Sequence, residues 1–302
     1  MSALAANTTG IQNVAVGQGS LAANTTAANN TAIGREALND NTTGAGNTAV
    51  GRGALAANTT AANNTAVGLS ALVANTTGAE NVAVGSNALD ANTTGPRNVA
   101  VGYNSLTANT EGQENVGVGQ NSLAAVSSGD SNVGIGNAAG YAITTGNNVI
   151  AVGKDAGRTG SPGGNITTAS NEICLGDENI SAANIQVDWT VASDQRDKTD
   201  FTALDLGLDF VKALAPVTYK WDKRSKYGDN TADDYDLNAQ TPDGTHKEDW
   251  LDIGFKAQEV EALEVAAGYT KDNKTNLTTS LTEDGKQMGL QYSKFVPILV
   301  KA

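Results

Sequence analysis

The sequence predicts a mainly β fold: a parallel β-solenoid with 17-residue coils, followed by a small α+β domain. Two observations carry this prediction. Residues 1–153 repeat with a period of 17, because glycine recurs at every seventeenth position, namely 17, 34, 51, 68, 85, 102, 119, 136 and 153. Residues 193–302 do not repeat, are strongly charged and hold most of the aromatic residues. A fixed period is typical of a solenoid, and two packed helices with their turns need about 33 residues per repeat.

The three residues before each of these glycines predict one strand per coil. Val14-Ala15-Val16 and its later copies alternate, so the first and third side chains share one face and the small middle residue points the other way. We interpret the first and third residues as a buried ladder. Val84 is then expected in the interior and Ala79 outside it. Ala3-Leu4-Ala5 is interpreted as a second short strand, and the Asn-Thr-Thr segments as turns.

Each coil offers few large apolar side chains for the seventeen residues that it must order. The small residue in the middle of each strand would also let another backbone approach closely. Association of several copies around one axis is therefore the expected completion of the solenoid.

The strand segment Asn13–Gly17, with the pattern Asn-x-Ala-Val/Ile-Gly in later coils, resembles the left-handed β-roll heads of trimeric autotransporter adhesins. The coils of those heads are shorter than 17 residues. The resemblance implies a left-handed, trimeric solenoid.

We divide the chain into three parts on this basis. Residues 1–160 form the solenoid shaft or head, residues 161–192 a final coil and junction, and residues 193–302 the C-terminal domain. The final coil is interpreted at Asn171–Gly176, with Cys174 in a buried strand position.

The C-terminal domain has its own pattern of helices and strands. Leu204, Leu208 and Val211 have helical spacing and stop before Pro216, where a helix would end. Val217, Tyr219 and Trp221 alternate as in a strand. Two further helices are predicted after Gly254 and Ser293, and residues 222–249 form a long polar excursion between the strand and these helices.

The domain begins with Ser193-Asp194-Gln195-Arg196-Asp197-Lys198, which contains a candidate serine–lysine dyad. A neutral lysine amine can accept the hydroxyl proton of a serine and so generate a nucleophilic oxygen. Lysine in water has a pKa of about 10.4, so about one amine in two thousand is neutral at pH 7. A lysine base therefore needs burial or a nearby positive charge. Arg196 is the nearest cation in the sequence, whereas Asp194 and Asp197 favour a charged amine.

Four ordered blocks in this segment resemble the C-terminal intramolecular chaperone of phage endosialidase tailspikes and related tail fibres. They are SDQRDK (193–198), LDFVKALAPVTYKW (208–221), DIGFKAQEVEAL (252–263) and LQYSKFVPILVKA (290–302). The resemblance implies that the domain drives trimerisation and folding and then cuts itself off, with Ser193 as nucleophile and Lys198 as base. The implied cut is Ser193–Asp194, with Ala192–Ser193 as the alternative. Enzymatic activity would be at most this single autoproteolytic step.

We therefore expect the distal part of a phage tail fibre, located in the virion and made in the host cytoplasm. Its expected partners are two further copies of itself, other tail proteins, and a glycan or protein receptor on the host surface. Two alternatives stay open: a bacterial trimeric surface adhesin that carries the same chaperone, and a polysaccharide-degrading tailspike. The tailspike needs a pair of carboxylates in a cleft, and the acids of the repeats are scattered, among them Glu36, Asp40, Glu80, Asp90 and Glu111.

The composition argues against several other functions. The net charge is −13, and both halves are acidic, with −3 in residues 1–160 and −10 in residues 161–302, so no nucleic-acid partner is expected. No apolar segment is long enough to span a membrane and no signal peptide is visible. No metal or other cofactor is expected, because His246 and Cys174 are the only residues of their types and Asp233, Asp234 and Asp236 lack the spacing of a calcium loop.

Overall fold

The structure of the protein is a computed structural model. The chain folds into two compact units, Met1–Asn179 and Ile180–Ala302. The structure describes residues 2–184, 186, 193–230, 232, 235–270, 277–282 and 284–302.

The first unit is a parallel β-solenoid, as the repeat predicts. Each coil contributes one three-residue strand to a ten-stranded parallel sheet whose spatial order follows the chain. The strands are β1 (Val14–Val16), β2 (Thr31–Ile33), β3 (Thr48–Val50), β4 (Thr65–Val67), β5 (Val82–Val84), β6 (Val99–Val101), β7 (Val116–Val118), β8 (Val133–Ile135), β9 (Ile150–Val152) and β10 (Ile173–Leu175). Residues one period apart pair directly, as in Val14 with Thr31, and 23 residues separate the partners in the last pair.

The predicted facing of the strands is wrong. The middle alanine of the strand points into the coil, and Ala83 is completely buried. The flanking residues lie on the outer face of the sheet, where Val84 is 38% exposed. Ala79, expected outside the interior, is half-buried.

The facing follows from the narrow interior of the coil. At Gly117, which replaces the middle alanine in β7, an added Cβ would lie 2.6 Å from the Ser105 Oγ and 3.3 Å from the Leu106 Cγ. Ser105 occupies this space because its Oγ donates to the Gly117 carbonyl at 2.9 Å. In β7 this space leaves no room for a β-carbon, so glycine is required there. Most other strands have a buried alanine at this position and β10 has Cys174, so the interior holds a small residue at the middle of each strand.

The second strand predicted at Ala3-Leu4-Ala5 is also wrong, because these residues form a turn. Leucine at this position has a left-handed backbone in each of eight coils, with φ of 49° at Leu21 and 53° at Leu89. From Leu21 to Leu123 these leucines are completely buried and form the large apolar ladder of the core. Their burial compensates for a backbone conformation that costs about 1–2 kcal/mol per residue.

The last coils replace this leucine by a different arrangement. Gly140 takes the leucine position and has a φ of +63°. A Cβ at Gly140 would lie 2.6 Å from Leu123 Cδ2 and 2.9 Å from Ile143 Cδ1. Ile143 stands where most coils have asparagine and is completely buried. The isoleucine thus fills the space that the leucine leaves, and Gly157 with Ile166 repeats the exchange.

The second unit is a small α+β domain. Its helices are α1 (Leu208–Ala213), α2 (Ala257–Ala266) and α3 (Phe295–Lys301), and its strands form two antiparallel pairs, β11 (Val217–Tyr219) with β12 (Asp252–Gly254) and β13 (Thr279–Leu281) with β14 (Met288–Leu290). Its buried core consists of Leu206, Phe210, Val260, Phe295 and Ile298.

The sequence predicts the three helices and the strand at Val217, but not β12, β13 or β14. Leu204 precedes α1, and Trp221 lies beyond the end of β11. Residues 222–249 contain two short 3-10 helices, Arg224–Lys226 and Leu237–Ala239. Of the acidic residues considered as calcium ligands, Asp236 caps the second of these helices, and Asp233 and Asp234 lie outside the described residues.

A buried glutamate fixes the start of β13 to α2. The Glu264 carboxylate accepts hydrogen bonds from the Thr278 N–H at 2.6 Å, the Thr278 Oγ1 at 2.5 Å and the Thr279 Oγ1 at 2.6 Å. Glu264 is only 2% exposed, and a buried carboxylate needs hydrogen-bond donors. These three contacts supply them.

Candidate functional site

A tight turn at the start of the C-terminal blocks brings the two predicted dyad residues together. Gln195–Asp197 form one turn of 3-10 helix, and Asp194 caps it by accepting a hydrogen bond from the Arg196 N–H at 2.9 Å. The Lys198 N–H closes the turn on the Gln195 carbonyl. Aspartate is a favourable residue at such a cap. The turn reverses the chain, so that Lys198 lies beside Ser193.

The Lys198 amine and the Ser193 hydroxyl form a direct contact. The Nζ lies 2.6 Å from the Oγ, a short hydrogen-bond distance. The same Nζ is 3.4 Å from the carbonyl oxygen of Ser193, which belongs to the Ser193–Asp194 peptide bond. The pair thus has the geometry in which a neutral amine can accept the serine proton.

Arg196 is bound to Asp194. Its Nη2 lies 2.6 Å from Asp194 Oδ2, and its Nε lies 3.1 Å from Oδ1 and 3.2 Å from Oδ2. The side-chain hydrogen bond from Arg196, followed by its backbone N–H, lowers the pKa of Asp194 below its ordinary value. The same pairing raises the pKa of Arg196. The expectation that Arg196 acts as a cation on Lys198 therefore needs revision, because its charge is directed to Asp194.

Every residue of the turn is exposed in the single chain. Arg196 has 89% of its side chain accessible and Asp194 has 41%. Water can therefore reach the Ser193 hydroxyl and the Lys198 amine. A lysine that acts as a base for a serine works best in a site from which water is excluded. For catalysis, other parts of the protein would therefore have to cover Ser193 and Lys198.

The sequence indicates Ser193 and Lys198 but not the bidentate contact between Asp194 and Arg196. One feature of the sequence could have indicated that contact. Asp194 and Arg196 are two residues apart, and in the structure Asp194 caps the short helix that contains Arg196. From the sequence, the two residues are expected as opposing influences on the amine. The sequence alone does not show which of the two cations binds the Asp194 carboxylate.

Residues 193–269 match the family model of the chaperone of endosialidase. The match begins at Ser193 and contains the whole turn and α1, β11, β12 and α2. It supports a protein of the tail-fibre or tailspike type with an intramolecular chaperone. Neither the curated proteins nor the solved structures include a significant match to the chain.

Several other residues that the sequence analysis considered as candidates make contacts within the fold. Cys174 is buried, with its Sγ 3.1 Å from the Gly157 N–H donor. His246 packs edge-on against Tyr227, with ring centroids 4.8 Å apart. Glu36 pairs with Arg35 at 3.0 Å, and Asp90 accepts from the Thr107 hydroxyl at 2.6 Å.

The described part of the chain shows neither a metal cluster nor a membrane-spanning helix. It contains no group of three or more His, Cys, Asp or Glu side chains arranged to hold a metal ion. Among the same described residues, no helix has the length and apolar character needed to cross a bilayer.

Proposed function

We propose that residues 193–302 form an intramolecular chaperone that drives assembly of the solenoid and then cuts itself off beside Ser193. The observation that supports the cut is the 2.6 Å contact between Lys198 Nζ and Ser193 Oγ at the first residue of the family match. The activity would be a single autoproteolytic step by a serine–lysine endopeptidase, without a cofactor.

The chemistry of the step follows from the dyad. For the Ala192–Ser193 bond, the neutral Lys198 amine accepts the hydroxyl proton while the Ser193 oxygen attacks the Ala192 carbonyl carbon, and the amine then returns the proton to the leaving Ser193 nitrogen. Water hydrolyses the resulting ester and so separates the two fragments. For the Ser193–Asp194 bond, the carbonyl belongs to Ser193 itself, and attack by its own oxygen would close a strained four-membered lactone. The attacking oxygen is then the Ser193 Oγ of a second copy, the Asp194 nitrogen leaves with the proton, and water hydrolyses the ester. The 3.4 Å contact of Nζ with the Ser193 carbonyl oxygen is consistent with a cut at Ser193–Asp194. Ala192–Ser193 remains the alternative bond.

Expression of three chains tests the proposed cleavage. The wild type should yield a fragment of about 190 residues, and Ser193→Ala and Lys198→Ala should stay intact. Intact-mass measurement then identifies the bond, because the two alternatives place Ser193 on different fragments. If the wild type stays whole under all folding conditions, the C-terminal unit is a permanent cap and the proposed protease activity is wrong.

We also propose that three copies pack their solenoids through the outer face of the β1–β10 sheet. This face carries two rows of Val, Ile, Thr and Leu, of which Val16, Ile33, Val84, Val101 and Ile135 are each more than a third exposed. Ten strands about 4.8 Å apart extend this apolar strip over about 43 Å. Long apolar patches of this kind mark interaction surfaces.

A second copy of the same chain is the partner that fits the strip best. An identical solenoid presents an identical ladder with the same 17-residue repeat, so the two strips match in length and in spacing. The strip carries no charged side chain, although the whole chain has a net charge of −13. Burial of apolar surface is therefore the available driving force.

For its biological role, we propose that the protein is the distal part of a phage tail fibre in the virion. It would bind a glycan or protein receptor on the host surface and join other tail proteins. The family match supports this type of protein. Binding of labelled, intact Ser193→Ala protein to a panel of bacterial cells tests it. Binding without release of oligosaccharides from isolated capsule favours a fibre, whereas release favours a degrading tailspike. Structural genes of a phage tail beside the coding sequence would distinguish it from a bacterial adhesin.

A further inference from the structure

We propose that Asp194 and Arg196 form a positioning pair that keeps the Lys198 amine in contact with the Ser193 hydroxyl. Arg196 binds the Asp194 carboxylate, with which Lys198 would otherwise form an ion pair. This inference rests on the proposed self-cleavage. It assigns roles to two residues that do not take part in the proton transfer itself.

The first argument is competition for a carboxylate within one short turn. Lys198 follows Asp194 by four residues, and the turn that lies between them brings Lys198 back beside Ser193. A lysine ammonium is attracted more strongly by a carboxylate than by a hydroxyl. If the Asp194 carboxylate were free, it would compete with the Ser193 Oγ for the amine.

The second argument is that the arginine contact occupies both carboxylate oxygens. Asp194 Oδ1 accepts from the backbone N–H and the Nε of Arg196, and Oδ2 accepts from Nη2 and Nε. A planar guanidinium matches a carboxylate better than an ammonium does, since it donates two parallel hydrogen bonds. Arg196 therefore holds Asp194, and Lys198 directs its amine to Ser193.

The third argument is that the observed contacts agree with this division. Among the described residues, the hydrogen bonds of the Lys198 amine go to the Oγ and the carbonyl oxygen of Ser193, and the ion pair of the turn is that of Arg196 with Asp194. The side-chain hydrogen bond from Arg196 also lowers the pKa of Asp194, which agrees with a close pair of arginine and carboxylate.

A double-mutant cycle on self-cleavage tests the pair. Arg196→Gln should slow cleavage about three- to fivefold, the effect of a well-formed exposed ion pair. Asp194→Asn keeps an oxygen to cap the turn but removes the competing charge. The double variant with Asp194→Asn and Arg196→Gln should therefore regain most of the wild-type rate. Arg196→Gln combined with Asp197→Asn should stay slow, because the neighbouring acid is not the one that Arg196 holds.

Three results of the cycle would overturn the inference. They are an unchanged rate for Arg196→Gln, a double variant as slow as Arg196→Gln alone, and equal rescue by Asp197→Asn. A variant that merely fails to fold would not be rescued by Asp194→Asn, so the rescue separates positioning from stability.

A chemical readout tests the same inference without cleavage. In the intact Ser193→Ala chain, brief treatment with acetic anhydride and peptide mass spectrometry should give less acetylation of Lys198 when Arg196→Gln is added, by about threefold. Lys256, which already pairs with Glu259 at 2.7 Å, is the internal reference whose acetylation should not change. Unchanged acetylation of Lys198 would contradict the inference. Absence of cleavage in the wild type would contradict only the proposed protease.

Discussion

Asparagine side chains join successive coils inside the solenoid. At one position per coil, each Nδ2 donates to the Oδ1 of the asparagine one coil earlier, as Asn75 does to Asn58 at 3.0 Å. The same Nδ2 donates to a carbonyl three residues on, as Asn75 does to Gly78 at 2.9 Å. The ladder ends at Asn109, whose Oδ1 lacks a partner because Val126 follows one period later. Buried amides of this kind specify the register between coils.

Asn75→Ala should lower the free energy of unfolding by about 2–4 kcal/mol, since Asn58 Oδ1 and Gly78 O both lose a buried donor. Thr77→Ala is the matched control, because this exposed side chain two residues away should change the free energy by less than about 0.5 kcal/mol. Denaturant unfolding measures both. Equal losses would mean that the ladder does not stabilise the coils.

Glycine is required where each strand ends. Gly85 has a φ of +140°, and a Cβ there would lie 2.4 Å from the Gly102 carbonyl oxygen. Gly53 also has a positive φ, of +69°, but the nearest atom to its Cβ would be 3.9 Å away. Later coils carry Ser70 and Asn87 at the position of Gly53, both with a φ of +55°.

Gly53→Ala should therefore cost about 1–2 kcal/mol, the penalty for a left-handed alanine. Gly85→Ala should be much more damaging, because the methyl group meets backbone that cannot move without separating two coils. Thermal unfolding of the two variants gives the comparison. Similar melting temperatures would show that the backbone of adjacent coils does not approach so closely.

The strands show how far the sequence determines the elements. The period of 17 and the alternation of Val14-Ala15-Val16 predict where each strand lies, and the family blocks predict Ser193 and Lys198 as a pair. The alternation does not show which face is inside, because a three-residue strand with a small middle residue fits either orientation. In β7 the decision comes from Ser105 and Leu106, which leave no room for a β-carbon at Gly117 inside the coil.

Adjacent positions in β5 provide a test of this facing. Ala83→Asp places a charge in the closed interior and should prevent folding of the coils. Val84→Asp leaves the coil interior unchanged, so the β-type circular dichroism of the chain should be retained while association of the chains is weakened. Loss of the dichroism in Val84→Asp and its retention in Ala83→Asp would reverse the assignment.

The C-terminal coils differ from the rest of the solenoid in their interior. Ile143 and Ile166 replace asparagines, and Gly140 and Gly157 replace leucines, so the buried contacts shift from amide ladders to aliphatic packing. The sequence shows only that the repeat weakens after Val126. The structure shows that the isoleucine compensates for the lost leucine, because Ile143 fills the space where the leucine side chain would lie.

For the whole molecule, two features point to assembly with other copies. The solenoid carries an uncharged apolar strip on its outer sheet face, and the contact between Ser193 and Lys198 is exposed in the single chain. A trimer would cover the first and supply protein around the second. The proposed release of the C-terminal unit would then follow correct folding.

The most direct test of the proposed assembly is light scattering of the intact Ser193→Ala chain after size-exclusion chromatography at micromolar concentration. The trimer predicts a mass about three times the 30.7 kDa of the chain. The same measurement on a chain that also carries Val84→Asp and Val101→Asp should give a smaller species, and Thr77→Asp should leave the mass unchanged. A stable species of one chain mass for Ser193→Ala alone would contradict the account.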